Sequence, residues 1–179
     1  MSEDRQIRQD RMKYTKNTAS SRLALLAIVL NVLFFISIYR VNREEYYVWL
    51  TGVSILYNLV FMLAAFLASE GVKKYNVRYS ILMMILGVGQ IGRIFILPAK
   101  MHMLHYEEKI PIYKVSKRMG QQIIGYDIVD RIVMSDEQFT RLVIYLSISA
   151  LCLIAGALIN WYKSRELQQS TANAGSLRV

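Results

Sequence analysis

The sequence predicts an all-α membrane protein: a four-transmembrane-helix bundle with an extracytoplasmic loop subdomain between helices 3 and 4. Three observations carry this expectation. Four apolar runs, residues 23–39, 48–68, 80–97 and 142–162, each hold 17 to 21 residues. At the helical rise that is about 25–32 Å, enough to cross a hydrocarbon core. Next, the chain is 54% hydrophobic yet carries a formal net charge of +9. The two values agree when apolar residues are gathered in spans and charges in connections and tails, which is how this chain is written. Finally, aromatic residues cluster where the runs end, as belts at headgroup level do. Tyr39, Tyr46, Tyr47 and Trp49 surround the first turn, and Trp161 and Tyr162 close the fourth run.

Residues 1–22 form a basic tail, with Arg5, Arg8, Arg11, Lys13, Lys16 and Arg22 against Glu3, Asp4 and Asp10. Such a stretch is loosely ordered or a surface helix. The run behind it ends FFISIYRVNREE, with no small-residue cleavage site, so it reads as an uncleaved signal-anchor. Residues 23–98 hold the first three spans. Gly71 stands where a C-terminal glycine is expected after the second.

The third run, YSILMMILGVGQIGRIFILP from Tyr79 to Pro98, contains the fingerprint Gly87-Val88-Gly89-Gln90-Ile91-Gly92. G-x-G-x-x-G binds a dinucleotide only after a strand, at the start of a helix, with an acidic residue about 20 residues on. Here Pro98 stops any following helix, and Glu107 and Glu108 come too early. The glycines read instead as small residues that let a neighbouring helix approach closely, and no cofactor is expected. Gly87, Gly89 and Gly92 are the candidate packing positions.

Residues 99–134 make the extracytoplasmic loop. Ile110-Pro111-Ile112-Tyr113-Lys114-Val115 alternates and looks extended. Ile124, Ile128 and Ile132 recur every four residues, with Asp127, Asp130 and Arg131 on the other side, which reads as an amphipathic helix. Residues 135–162 hold the fourth span, opened by the capping box Ser135-Asp136-Glu137-Gln138. Residues 163–179 read as a disordered tail whose final Leu177-Arg178-Val179 offers a short C-terminal motif. The single cysteine, Cys152, lies in the fourth run and excludes an intrachain disulfide or a C-x-x-C pair.

Three constellations could carry function. Counted from the run ends, Asn31, Asn58 and Gln90 all lie about 13–17 Å deep, near a bilayer midplane. Ser54, Tyr57, Ser147 and Ser149 could join that layer. Amides at this depth must face inward and bond across helices, as packing or as a pathway. Arg93 is the one charge inside a run; it either snorkels outward from near Pro98 or faces the bundle as a ligand or counter-ion. His102, His105 and Glu108 would share a face if helix continued there, and His₂Glu is a known zinc set. No serine or cysteine stands beside a histidine as a nucleophile–base pair, so the sequence leans away from an enzyme.

The partners expected are a lipid bilayer and either further copies or another membrane subunit. Nucleic acid is not required, because topology and anionic lipid account for the basic charge. Function is therefore expected in one of three classes: an oligomeric or accessory subunit of a larger membrane complex, a homo-oligomeric channel or transporter for a small solute or ion, or a membrane-embedded lipid-modifying enzyme. The 1–22 tail, the loop after the second run and the C-terminal tail carry 12 of the basic residues, against 9 in the other two connections. That bias places both termini in the cytoplasm, in the plasma membrane. Cysteine labelling checks this: a cysteine at Val115 should react in intact cells, whereas cysteines at residues 2 and 170 should react only after permeabilisation. The reverse pattern would invert the topology.

Overall fold

The computed structural model describes residues 15–39, 48–116 and 120–176. Four helices in it are long and apolar enough to cross a membrane. They are α1 (Thr18–Tyr39), α2 (Val48–Val72), α3 (Val77–Ile96) and α5 (Asp136–Ser176). Between α3 and α5 come the five-residue α4 (Pro98–His102) and two strands, β1 (His105–Ser116) and β2 (Gly120–Ile132). The tail to residue 14, the 40–47 connection with Tyr46 and Tyr47, and Leu177, Arg178 and Val179 lie outside the described residues.

Helix α1 packs on α2 and α5, and α3 packs on the same two, so α1 faces α3 across the diagonal. Neighbours run antiparallel. The buried positions explain why the helices lie alongside one another. At and along α1 they include Asn17, just before it, and Ser20, Ala24, Ala27, Asn31 and Phe34; on α2 they include Asn58, Phe61, Ala65, Ala68 and Val72. On α3 they are Ser80, Met83, Gly87, Gln90 and Arg93. Steps of three or four residues keep one seam facing its neighbours along each helix. The opposite faces are apolar and exposed, with Leu56, Leu63, Ile85 and Leu151 all more than half accessible.

Small side chains set the closest approaches. A Cβ on Gly87 would come 2.8 Å from Ile154 Cγ1 and 3.3 Å from the Ala150 carbonyl oxygen of α5. One on Gly156 would come 2.7 Å from Met83 Cε and 3.3 Å from the Ser20 carbonyl oxygen. Gly89 stands 3.4 Å from the Tyr57 hydroxyl by the same measure, while Gly92 meets nothing within 4 Å. Of the three glycines of the fingerprint, Gly87 thus lies against another helix's backbone and Gly92 faces open space.

Several local expectations change. Gly71 does not cap α2, which continues to Val72; a Cβ there would strike the Tyr79 ring at 2.1 Å. The left-handed position of the α2–α3 turn is Tyr75, at φ 56°. Its amide donates to the Val72 carbonyl (3.0 Å), and Asn76 then caps α3 by accepting from the Arg78 amide. Pro98 opens α4 rather than simply ending α3, its fixed φ suiting a first helical turn.

The segment that the sequence suggests as an amphipathic helix, Ile124 to Val133, is largely strand β2. It pairs antiparallel with β1 from His105↔Ile132 to Ser116↔Gly120, with a bulge between Ile112 and Tyr113. A spacing of four residues repeats one face of a strand as well as one face of a helix. The β-branched isoleucines and valines favour the extended form, and Gly120 and Gly125 weigh against helix. The 163–179 tail, expected to be disordered, is helical to Ser176. An already nucleated helix adds residues without a further nucleation cost. Ser164 also donates to the Tyr75 carbonyl, and the Arg165 guanidinium lies 5.2 Å from the Trp161 ring.

The capping box forms as expected: the Gln138 amide donates to Ser135 Oγ (3.3 Å) and the Ser135 amide to Gln138 Oε1 (3.2 Å).

The contrast between two glycines is testable. Gly87→Leu should destabilise the bundle by about 1–3 kcal/mol or more through overpacking against α5. Gly92→Ala should be neutral, or stabilise by roughly 0.5–1 kcal/mol through helix propensity. Thermal unfolding in detergent reads both.

Candidate functional site

Asn31, Asn58, Gln90 and Arg93 come together at one place in the bundle, contributed by α1, α2 and α3. All four side chains are buried, Asn31 and Gln90 completely. The guanidinium of Arg93 organises them. Its Nη1 donates to Asn31 Oδ1 (2.9 Å) and to Asn58 Oδ1 (3.0 Å), and its Nη2 donates to Ser54 Oγ (3.2 Å). Asn31 Nδ2 donates to Asn58 Oδ1 (2.9 Å), Gln90 Nε2 to Asn31 Oδ1 (3.1 Å), and Asn58 Nδ2 to the Ser54 carbonyl (2.7 Å). The amide oxygens of both asparagines therefore converge on the cation.

Aromatic rings complete the setting. The Arg93 guanidinium carbon lies 4.3 Å from the Phe34 ring centre and 4.7 Å from that of Tyr57. Each such contact contributes about 0.5–2 kcal/mol, the more as water is excluded. Hydrogen bonds to a charged group contribute about 1.5–3 kcal/mol each. These terms oppose the cost of placing a charge inside an apolar bundle, several kcal/mol. Of the two orientations open to Arg93, the bundle-facing one is adopted: only 7% of the residue is accessible. Among the described residues no carboxylate pairs with it. One acceptor in the cluster stays unmatched among the described residues: Gln90 Oε1 is buried without a hydrogen-bond partner there.

The other candidates separate. Ser149 donates to the Ala27 carbonyl (3.1 Å), joining α5 to α1, and Ser147 is only half-buried. His102 ends α4, whereas His105 and Glu108 lie on β1, so the shared helical face expected for a metal set is not formed. Among the described residues, no three His, Cys, Asp or Glu side chains gather in a way that could hold a metal ion. His102 instead stacks on Phe139 with ring centres 4.6 Å apart, and its Nε2 lies 3.5 Å from Asp136 Oδ1. These contacts tie α4 to the start of α5.

A second polar layer, which the sequence reading misses, lies nearer the end of the bundle formed by the α2–α3 turn. Asn160 of α5 donates to Ser80 Oγ (2.7 Å) and to the Asn76 carbonyl (3.2 Å). Asn17 Nδ2 donates to Asn160 Oδ1 (2.8 Å) and Ser20 Oγ (2.9 Å), and Ser21 bonds Ser69 at 2.8 Å. Asn17 sits in what reads as a polar tail, and Asn160 beside Trp161, which reads as an end-of-run aromatic, so neither signals burial. The three-and-four spacing from Asn17 through Asn31 is the signal that could have found the layer.

Compared with protein-family models, curated proteins and solved structures, the chain matches none. Its site is therefore read from its own geometry.

That geometry predicts how Arg93 responds to substitution. Arg93→Lys removes the fork that reaches Asn31, Asn58 and Ser54 together, so it should impair stability or assembly about as much as Arg93→Ala. Asn31→Leu leaves a buried charged donor short of an acceptor and should cost about 1–3 kcal/mol or more. Unfolding midpoints of the three variants in one detergent provide the comparison; a lysine variant equal to wild type would contradict the bidentate role.

Proposed function

We propose that the protein is an integral membrane protein serving as an oligomeric or accessory subunit of a larger membrane complex, with both termini cytoplasmic and the β-hairpin outside. The observation that carries this reading is the hairpin. Its strands, 12 and 13 residues long, pack on each other far more than on any helix. An isolated two-stranded hairpin is marginally stable in water. This one also exposes Ile112, Ile123, Tyr126, Ile128 and Ile132, which is costly unless something covers them.

Its edges favour strand addition on one side. Strand β1 carries Pro111, which lacks a backbone donor and blunts an edge, whereas β2 has no proline and is rich in β-branched residues. A partner strand on the β2 edge would satisfy backbone groups and cover the isoleucines together. The base is firmly placed for such an arm. The Val133 amide donates to the Leu104 carbonyl (3.1 Å), and Met101 and Met134 are buried with Phe34, Leu142 and Leu146. The bundle itself is cross-tied at two levels and filled between them by Phe61, Leu153 and small residues, which suits a rigid platform better than a moving carrier.

The test is mass and stoichiometry after mild extraction. The full chain should run as a defined complex larger than its 20.7 kDa monomer. Replacing residues 106–131 by a short turn should release a monomer whose helical circular dichroism is retained. A wild-type chain that is monomeric on extraction from its native membrane, without a stoichiometric partner, would overturn the reading.

A further inference from the structure

We propose that the Arg93 cluster is a binding site for a phosphate that carries its own hydrogen donor, either a phospholipid headgroup with a hydroxyl or ammonium beside the phosphate, or hydrogenphosphate from solution. The proposal goes beyond the subunit reading and shares with it only the membrane setting. Three features of the cluster support it, and they specify the same ligand chemistry.

The first is charge. Asn31, Asn58 and Ser54 offer Arg93 dipoles, and Phe34 and Tyr57 offer ring faces, but all five are neutral. Dipoles lower the cost of a buried cation, whereas an anion cancels the charge itself. The second is donor arithmetic. A guanidinium has five N–H groups. Among the described residues Nη1 makes two donations and Nη2 one, leaving Nε–H and one Nη2–H. Two donors on one planar fork match two oxygens of a phosphate.

The third feature is the unmatched acceptor. Gln90 Oε1 is buried without a partner, and Gln90 is 0% exposed. Gln90 Nε2 and Arg93 Nη1 both donate to Asn31 Oδ1, so the unmatched oxygen belongs to the same cluster while accepting from none of the guanidinium N–H groups. A bare carboxylate or sulfate could take the fork but would offer this oxygen nothing. A water molecule could donate to the oxygen but would leave the charge uncancelled. A P–OH group, or a headgroup hydroxyl or ammonium next to a phosphodiester, supplies both.

The experiment uses the full chain, delipidated in a neutral detergent, and follows its thermal unfolding and bound mass. Inorganic phosphate at millimolar concentration should raise the midpoint of the wild type. Sulfate, which lacks the hydrogen at neutral pH, should bind at least tenfold more weakly. Gln90→Met should bring phosphate down to the level of sulfate, and Arg93→Gln should abolish both effects. Gln90→Met removes no charge, so it keeps the test decisive if Arg93→Gln fails to fold. In the second arm, protein is reconstituted into phosphatidylcholine vesicles with or without phosphatidylglycerol and re-extracted. Phosphatidylglycerol retained by wild type but not by Gln90→Met identifies a lipid as the source; a phosphate response without lipid retention identifies the solute.

The proposal falls if wild type shows neither a phosphate shift nor retained phosphatidylglycerol. It falls equally if Gln90→Met binds like wild type, or if sulfate matches phosphate. It also falls if Glu44→Gln with Glu45→Gln destabilises the protein as much as Arg93→Gln, since the counter-charge would then come from the chain itself. None of these readouts depends on the mass of the assembly, so failure here leaves the subunit reading standing.

Discussion

A guanidinium placed among apolar helices must find its solvation shell in the protein, and much of this bundle answers that requirement. Arg93 draws a donor-accepting oxygen from α1, another from α2, and a hydroxyl from the turn before it on α2. Two rings close over its faces. Each contributor must then be held at one rotation about its own axis. Turning α1 by one residue would carry Asn31, and with it Phe34, away from the diagonal. The charge thus fixes the register of three helices at once, which apolar packing among leucines and alanines does only loosely.

Helix α5 contributes no side chain to the Arg93 hydrogen bonds and takes its register elsewhere. It approaches α1 and α3 through Ser149, Ala150, Gly156 and Ala157, and is locked by Asn160 between Asn17 and Ser80. The division of labour follows from chemistry. Amide-to-amide bonds between helices are worth about 1–2 kcal/mol or less in an apolar setting, so one layer alone orients a long helix weakly. Two layers at different levels, with small-residue contact between them, orient all four.

Much of this was legible in the residues. The four long apolar helices were, because runs of 17 to 21 residues, three of them without a charge, leave few alternatives. The meeting of Asn31, Asn58 and Gln90 followed from depth arithmetic, since polar groups at one level in antiparallel helices have only each other as partners; Arg93, nearer the end of its run, could equally have snorkelled outward. Phe34 and the second layer were not legible in this way: Phe34 looks like any lipid-facing residue, and Asn17 and Asn160 sit where polar residues excite no question. The hairpin failed for another reason. Ile124, Ile128 and Ile132 are separated by an even number that is also about one helical turn, so the two periodicities coincide. Residue type, rather than spacing, had to decide between them: the β-branched side chains point to strand, and the glycines weigh against helix.

The 41 residues of α5 form one uninterrupted rod, about 62 Å long at the helical rise. Near one tip it is gripped by the ring of His102 on Phe139 and by the hairpin base; farther along, Ser164 grips the turn at Tyr75. A helix is stiff along its axis, and a force applied at one clamp is delivered at the other with little loss. Whatever pulls or twists the hairpin therefore also loads the α2–α3 turn on the far side of the bundle.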